Sequence, residues 1–177
     1  MTTMPYLLKY MTPVLIFCGL HTGLYARDIF SAARVGDTAA VSACLRAGTP
    51  VDTTDERGST PLIVAAYNNR PETVALLLAC KAGPDVADRM GNTALMGACF
   101  RGYPQIVRLL LDAGADPDRT NPNGATALTF AATFGHTETV ALLLHRGADK
   151  TLRDRFGKTP ADHARLQENE DIFNLLK

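Results

Sequence analysis

The chain reads as an all-α repeat solenoid, in which stacked helix–turn–helix units are joined by short β-hairpin loops. Three observations predict it. Gly58, Gly91, Gly124 and Gly157 stand 33 residues apart, and Thr60, Thr93, Thr126 and Thr159 each follow two residues later. Leucine triplets at Leu76–Leu78, Leu109–Leu111 and Leu142–Leu144 keep the same period. The stretch "GYPQIVRLLLDAGADPD" from Gly102 returns from Gly135 as "GHTETVALLLHRGADKT". A fixed period of this size marks a chain assembled from one supersecondary unit used repeatedly.

Extending the period both ways gives five units, at about residues 25–57, 58–90, 91–123, 124–156 and 157–177. The first is worn: Ile29 takes the leucine column, Ala32 and Ala33 an alanine pair, and Gly36 the glycine between helices. The last is truncated, with Ile172, Leu175 and Leu176 in the second-helix columns. Its polar run from Gln167 to Asp171 suits a cap that faces water.

Within each unit the columns have separate physical reasons. Thr60 and Thr159 precede Pro61 and Pro160, the order expected of an N-cap hydroxyl followed by a first-turn proline. Pro71 and Pro104 mark the start of a second helix in the same way. Ala65-Ala66 and Ala131-Ala132 keep the first helix thin, so that neighbours can approach. Val107, Leu110 and Leu111 fall at helical spacing and form an apolar stripe. Gly114 and Gly147 end the second helix where a left-handed cap suits glycine. Lys81 holds that column in the second unit, which predicts an irregular exit there. Asp52, Asp85 and Asp118 share a loop column and are expected to accept turn N–H groups. One unit cannot bury its apolar face alone, and stacking supplies the missing cover.

Residues 1–26 read differently. They carry one formal charge, Lys9, and a short apolar run, "PVLIFCGL", before the charged Arg27-Asp28 pair. This pattern predicts a signal peptide, export to the periplasm or beyond, and a folded part spanning 27–177. Retention as an uncleaved N-terminal anchor is the alternative, although the run is shorter than the roughly 20 residues of a stable membrane span. Acylation of Cys18 is disfavoured by the bulky Phe17 before it. Cys44, Cys80 and Cys99 have no C-x-x-C spacing and are expected to act as small apolar residues; the sequence leaves one disulfide among them open.

The 33-residue unit with "G-x-TPL-x-x-AA", then "G-H-x-x-x-V-x-LLL", then "GAD" resembles the ankyrin repeat. The resemblance covers Arg27–Lys177 and implies stacked helical pairs that bind proteins through a concave face and the hairpin tips. It departs where the family often has histidine after the "TPL" leucine. Here Ile63, Met96, Thr129 and Asp162 stand there, so the loop-to-loop bonds of that histidine are not expected. His136 lies where the family pattern itself has histidine.

No nucleophile elbow, phosphate loop, zinc-helix motif or calcium-loop spacing is present. His145 and His163 have no matched cysteine or carboxylate spacing. The chain is therefore expected not to be an enzyme and to need no cofactor or metal. Its zero net charge gives no basic bias toward nucleic acid. The positions that the repeat leaves free are Tyr67 and Arg70; Phe100, Arg101 and Tyr103; then Phe134 and His136. With Arg89, Met90 and Phe156 on the hairpin tips, they form the expected partner-binding set, rich in aromatics and arginine. The expected function is a non-catalytic protein-interaction scaffold. The alternatives are a regulator, inhibitor or chaperone of one enzyme, which the resemblance to small exported bacterial ankyrin proteins associates with oxidative-stress defence, and a secreted effector.

Overall fold

A computed structural model describes residues 28–177, and the expected leader, residues 1–26, lies outside them. Ten helices follow in pairs: α1 (Ile29–Val35) and α2 (Thr38–Arg46), α3 (Pro61–Tyr67) and α4 (Pro71–Ala79), α5 (Ala94–Arg101) and α6 (Pro104–Asp112), α7 (Ala127–Thr133) and α8 (Thr137–His145), α9 (Pro160–Leu166) and α10 (Glu170–Leu176). Five pairs correspond to the five units. Odd-numbered helices form one layer and even-numbered helices the other. The odd-numbered layer is the more closely packed.

Alanine explains the closeness. Ala32, Ala33, Ala65, Ala66, Ala131 and Ala132 are fully buried between first helices. The second helices interlock through larger side chains: Val74, Leu77, Ile106, Val107, Leu110, Val140 and Leu143 are also fully buried. Leu111 is only partly buried and packs at the edge of this core. The core is thus continuous along the array, and each unit shields the next.

The predicted caps form. Thr60 and Thr159 accept N–H bonds from Ile63 and Asp162, and Thr93 and Thr126 do the same for Met96 and Thr129. The columns without histidine split into two kinds. Thr129 and Asp162 reach back to the N-cap and complete capping boxes. Ile63 and Met96 have no polar atom for this and are buried instead.

Lys81 corrects the expectation of an irregular exit. It adopts φ +67°, and Lys81 N and Ala82 N reach the carbonyls of Leu78 and Leu77, each at 3.0 Å. Gly114 and Ala115 make the same two bonds to Leu111 and Leu110. The path is the same in both units, and lysine adopts a left-handed backbone that glycine reaches without strain. Asn69 and Glu168 occupy the other left-handed column as non-glycine residues.

The loops turn back as hairpins, although no strand forms among the described residues. Each tip closes with one cross-bond and one tight turn, as where Asp88 N meets Asn92 O and Gly91 N meets Asp88 O. Asp55, Asp88, Asn121 and Asp154, one per loop, accept two backbone N–H groups of their own loop. Neighbouring tips also bond: Arg89 N donates to Arg57 O and Arg155 N to Asn123 O. The equivalent bond is missing at Pro122, which has no N–H. There, Asn121 Nδ2 donates to Asn92 Oδ1 at 2.9 Å.

Candidate functional site

Tyr67 ends α3, Phe100 and Arg101 end α5, and Phe134 follows α7 as its C-cap. The 33-residue period brings these positions side by side on one edge. Tyr67 and Phe100 stack with ring centroids 6.0 Å apart. Phe134 meets Phe100 edge-on at 4.4 Å, and Phe130 does so at 6.3 Å. The Tyr67 ring packs over Gly97, where an added Cβ would make ordinary contact with it at 3.7 Å.

Arg101 lies across this row. Its guanidinium carbon is 5.2 Å from the Tyr67 centroid and 5.7 Å from that of Tyr103. Its Nε and Nη2 both donate to the Tyr103 hydroxyl, at 3.2 and 3.1 Å. That bond raises the already high pKa of the arginine, so the site carries a permanent positive charge. Tyr67 and Phe134 remain 43% and 48% exposed, large for rings in contact. Tyr103 and Phe130 pack down onto the core and support the others from beneath.

Two predicted residues border the row but are committed elsewhere. Arg70 Nε donates to Arg34 O at 3.0 Å, and its stem lies over Gly36. His136 Nε2 is 3.0 Å from Phe100 O, and its ring fills the space over Gly102, where a Cβ would lie 2.4 Å from Nδ1. Both residues tie their unit to the preceding one, which gives them a structural task in addition to any contact with a partner. Arg89, Met90 and Phe156 sit on the hairpin tips, with Met90 71% and Phe156 69% exposed. The tips adjoin the starts of the first helices and the aromatic row their ends, so the predicted set divides between two places.

Sequence reasoning missed Phe130 and one polar pair. Phe130 lies in a helix-interior column shared with Val64 and Gly97, which hides its link to the row. His163 Nε2 meets Asp154 Oδ2 at 2.8 Å, joining the last hairpin to α9. Asp154 also accepts the Phe156 and Lys158 N–H groups, so the pair closes a loop. Among the described residues no group of His, Cys, Asp and Glu is arranged to hold a metal ion.

The cysteines divide. Cys99 is fully buried as expected, and burial pushes its thiol up, away from thiolate chemistry. Cys80 is exposed and Cys44 partly buried.

A helical array of stacked pairs with a row of contacting aromatic rings along one edge is the architecture of a repeat protein. Family models of ankyrin repeats (3 copies) and ankyrin repeats (many copies) match residues 29–121 and 110–164, and the chain belongs to the ankyrin-repeat family. No curated protein matches the chain. Ankyrin repeats generally mediate protein–protein interaction, and no described helix is long and apolar enough to cross a membrane.

Proposed function

We propose that the protein is an exported, non-catalytic scaffold that binds a partner protein through the edge formed by Tyr67, Phe100, Arg101 and Phe134. One observation supports this reading above the others. Three consecutive units place large rings on the surface in mutual contact, while other side chains fill the core. Rings held by their neighbours lose little freedom on association, and aromatic and arginine side chains dominate binding energy at protein interfaces.

The test is site-specific photo-crosslinking in the producing cells. A photoreactive residue at Phe134 should give a protein adduct. One at Arg108, exposed on α6, should give little. Equal yields from the two positions would count against the edge. Export is tested by cell fractionation with N-terminal sequencing, where a mature chain starting at Arg27 is expected.

A further inference from the structure

The shape of the Arg101 contact narrows the chemistry of the partner. Nε and Nη2 present one edge of the guanidinium, and that edge is used by the Tyr103 hydroxyl. The other edge, formed by Nη1 and the second N–H of Nη2, makes no hydrogen bond within 3.5 Å among the described residues; the Tyr67 hydroxyl interacts with the guanidinium more weakly than Tyr103 does. Two parallel N–H groups on a planar fork match the two oxygens of a carboxylate. The Tyr67 and Tyr103 rings hold the fork in place, so little side-chain freedom is lost when that edge is engaged. Beside it lie the exposed ring of Phe134 and the half-buried ring of Phe100 that it packs against.

Charge along the same edge agrees. Arg34, Arg70 and Arg101 stand exposed at the helix turns of three consecutive units; Asp37 and Glu72 share the first two of these turns, and the turn at Arg101 carries no acidic residue. At the far end of the array the corresponding turn carries Glu168, Glu170 and Asp171, also exposed. A negative group is drawn to the turn at Arg101 and repelled from the last.

We infer that this edge takes a protein segment in which an Asp or Glu lies beside a large apolar side chain, the carboxylate on the free edge of Arg101 and the apolar group against Phe100 and Phe134. The inference rests on the reading above that the edge is a protein-binding surface, and it adds which kind of segment fits.

The test is selection of a random dodecamer peptide library on the immobilised full chain, compared with Arg101→Gln, Arg101→Glu and Phe134→Ala chains of unchanged circular dichroism. On the parent chain, selected peptides should be enriched in Asp or Glu adjacent to Phe, Tyr, Trp, Leu or Ile. A selected peptide, re-synthesised with a fluorophore, should bind Arg101→Gln about fivefold more weakly, the usual loss on truncating an anchoring arginine. Arg101→Glu should shift the selection toward Lys and Arg. Enrichment of apolar residues without acids would overturn the inference and leave the scaffold reading standing. Peptides selected equally by the parent and Phe134→Ala chains would overturn both. Self-association in sedimentation that Arg101→Gln abolishes would also overturn the inference, since the occupant would then be a second copy of this chain.

Discussion

Asp118 accepts a hydrogen bond from the backbone N–H of Asp149 at 2.8 Å, across 31 residues and into the next unit. Asp85 does the same for Asp116, and Asp52 for Gly83. The aspartate column therefore joins units to one another, in addition to shaping loops. Asp118→Ala should lower stability by about 0.5–1.5 kcal/mol, the usual net contribution of one such bond. Asp118→Asn, which keeps an acceptor, should lose less. Urea melts of the three proteins decide it, and coincident midpoints would show that the bond contributes nothing.

Lys81 holds a left-handed backbone that glycine adopts in the corresponding position of the third and fourth units. Lys81→Gly relieves that strain, partly offset by the greater freedom of glycine in the unfolded chain, for a net gain of about 0.5–1 kcal/mol. The converse change, Gly114→Lys, should cost a similar amount through the backbone, since nothing lies within 4 Å of the Cβ that would be added. Thermal melts should move in opposite directions for the two variants.

The Thr73 hydroxyl is buried without a hydrogen-bond partner. Ile106 and Ile172 fill the same column in other units. Thr73→Val should therefore stabilise the protein by about 1 kcal/mol, the lower end of the cost of an unpaired buried polar group. A lower melting temperature for this variant would mean that the hydroxyl does find a partner in solution.

Leu110 is fully buried where α6 meets its neighbours. Leu110→Ala should cost about 2–5 kcal/mol, through lost burial and the cavity left behind. A variant that melts like the parent would place Leu110 outside the interface between units.

The last unit should loosen in acid. Burial pushes Asp154 up, but bonds from the Lys158 N–H, His163 and the Phe156 N–H outweigh it and hold the carboxyl below its ordinary value of 3.8. The Thr159 N–H and hydroxyl lower Asp162 likewise. Both groups bind protons less readily in the folded chain. The stability they contribute is complete above that ordinary value and is lost as pH falls through the lower folded values. Urea midpoints should fall below about pH 4, the range of an unperturbed carboxylate, and Asp162→Asn should flatten that fall.

Much of this was legible in the sequence because it is local. A threonine before a proline, a glycine every 33 residues and leucines at helical spacing constrain the backbone where they stand, and Thr60, Gly114 and Leu110 do what their columns imply. Relations that cross units were harder to read. The Asp52 column was visible, but its partner at Gly83 belongs to the next unit, and only the stack brings the two together. Lys81 misled because glycine is a preference and not a requirement: bonds to Leu77 and Leu78 hold the turn despite its strain. In the candidate site, Tyr67, Phe100 and Phe134 stand out in the sequence because the repeat leaves their columns free, and the stack brings their rings into contact. Arg70 and His136 looked equally free, and their bonds to backbone carbonyls of the preceding unit could not be read from residue type alone.

Pro122 gives the array a mechanical seam. Backbone bonds rivet the first loop tip to the second and the third to the fourth, whereas the second and third tips are joined by the side-chain amides of Asn92 and Asn121, with Asp85 holding the Asp116 N–H farther from the tip. Under tension applied across the hairpin side, the protein should part first along that line, into two blocks that each keep their rivets.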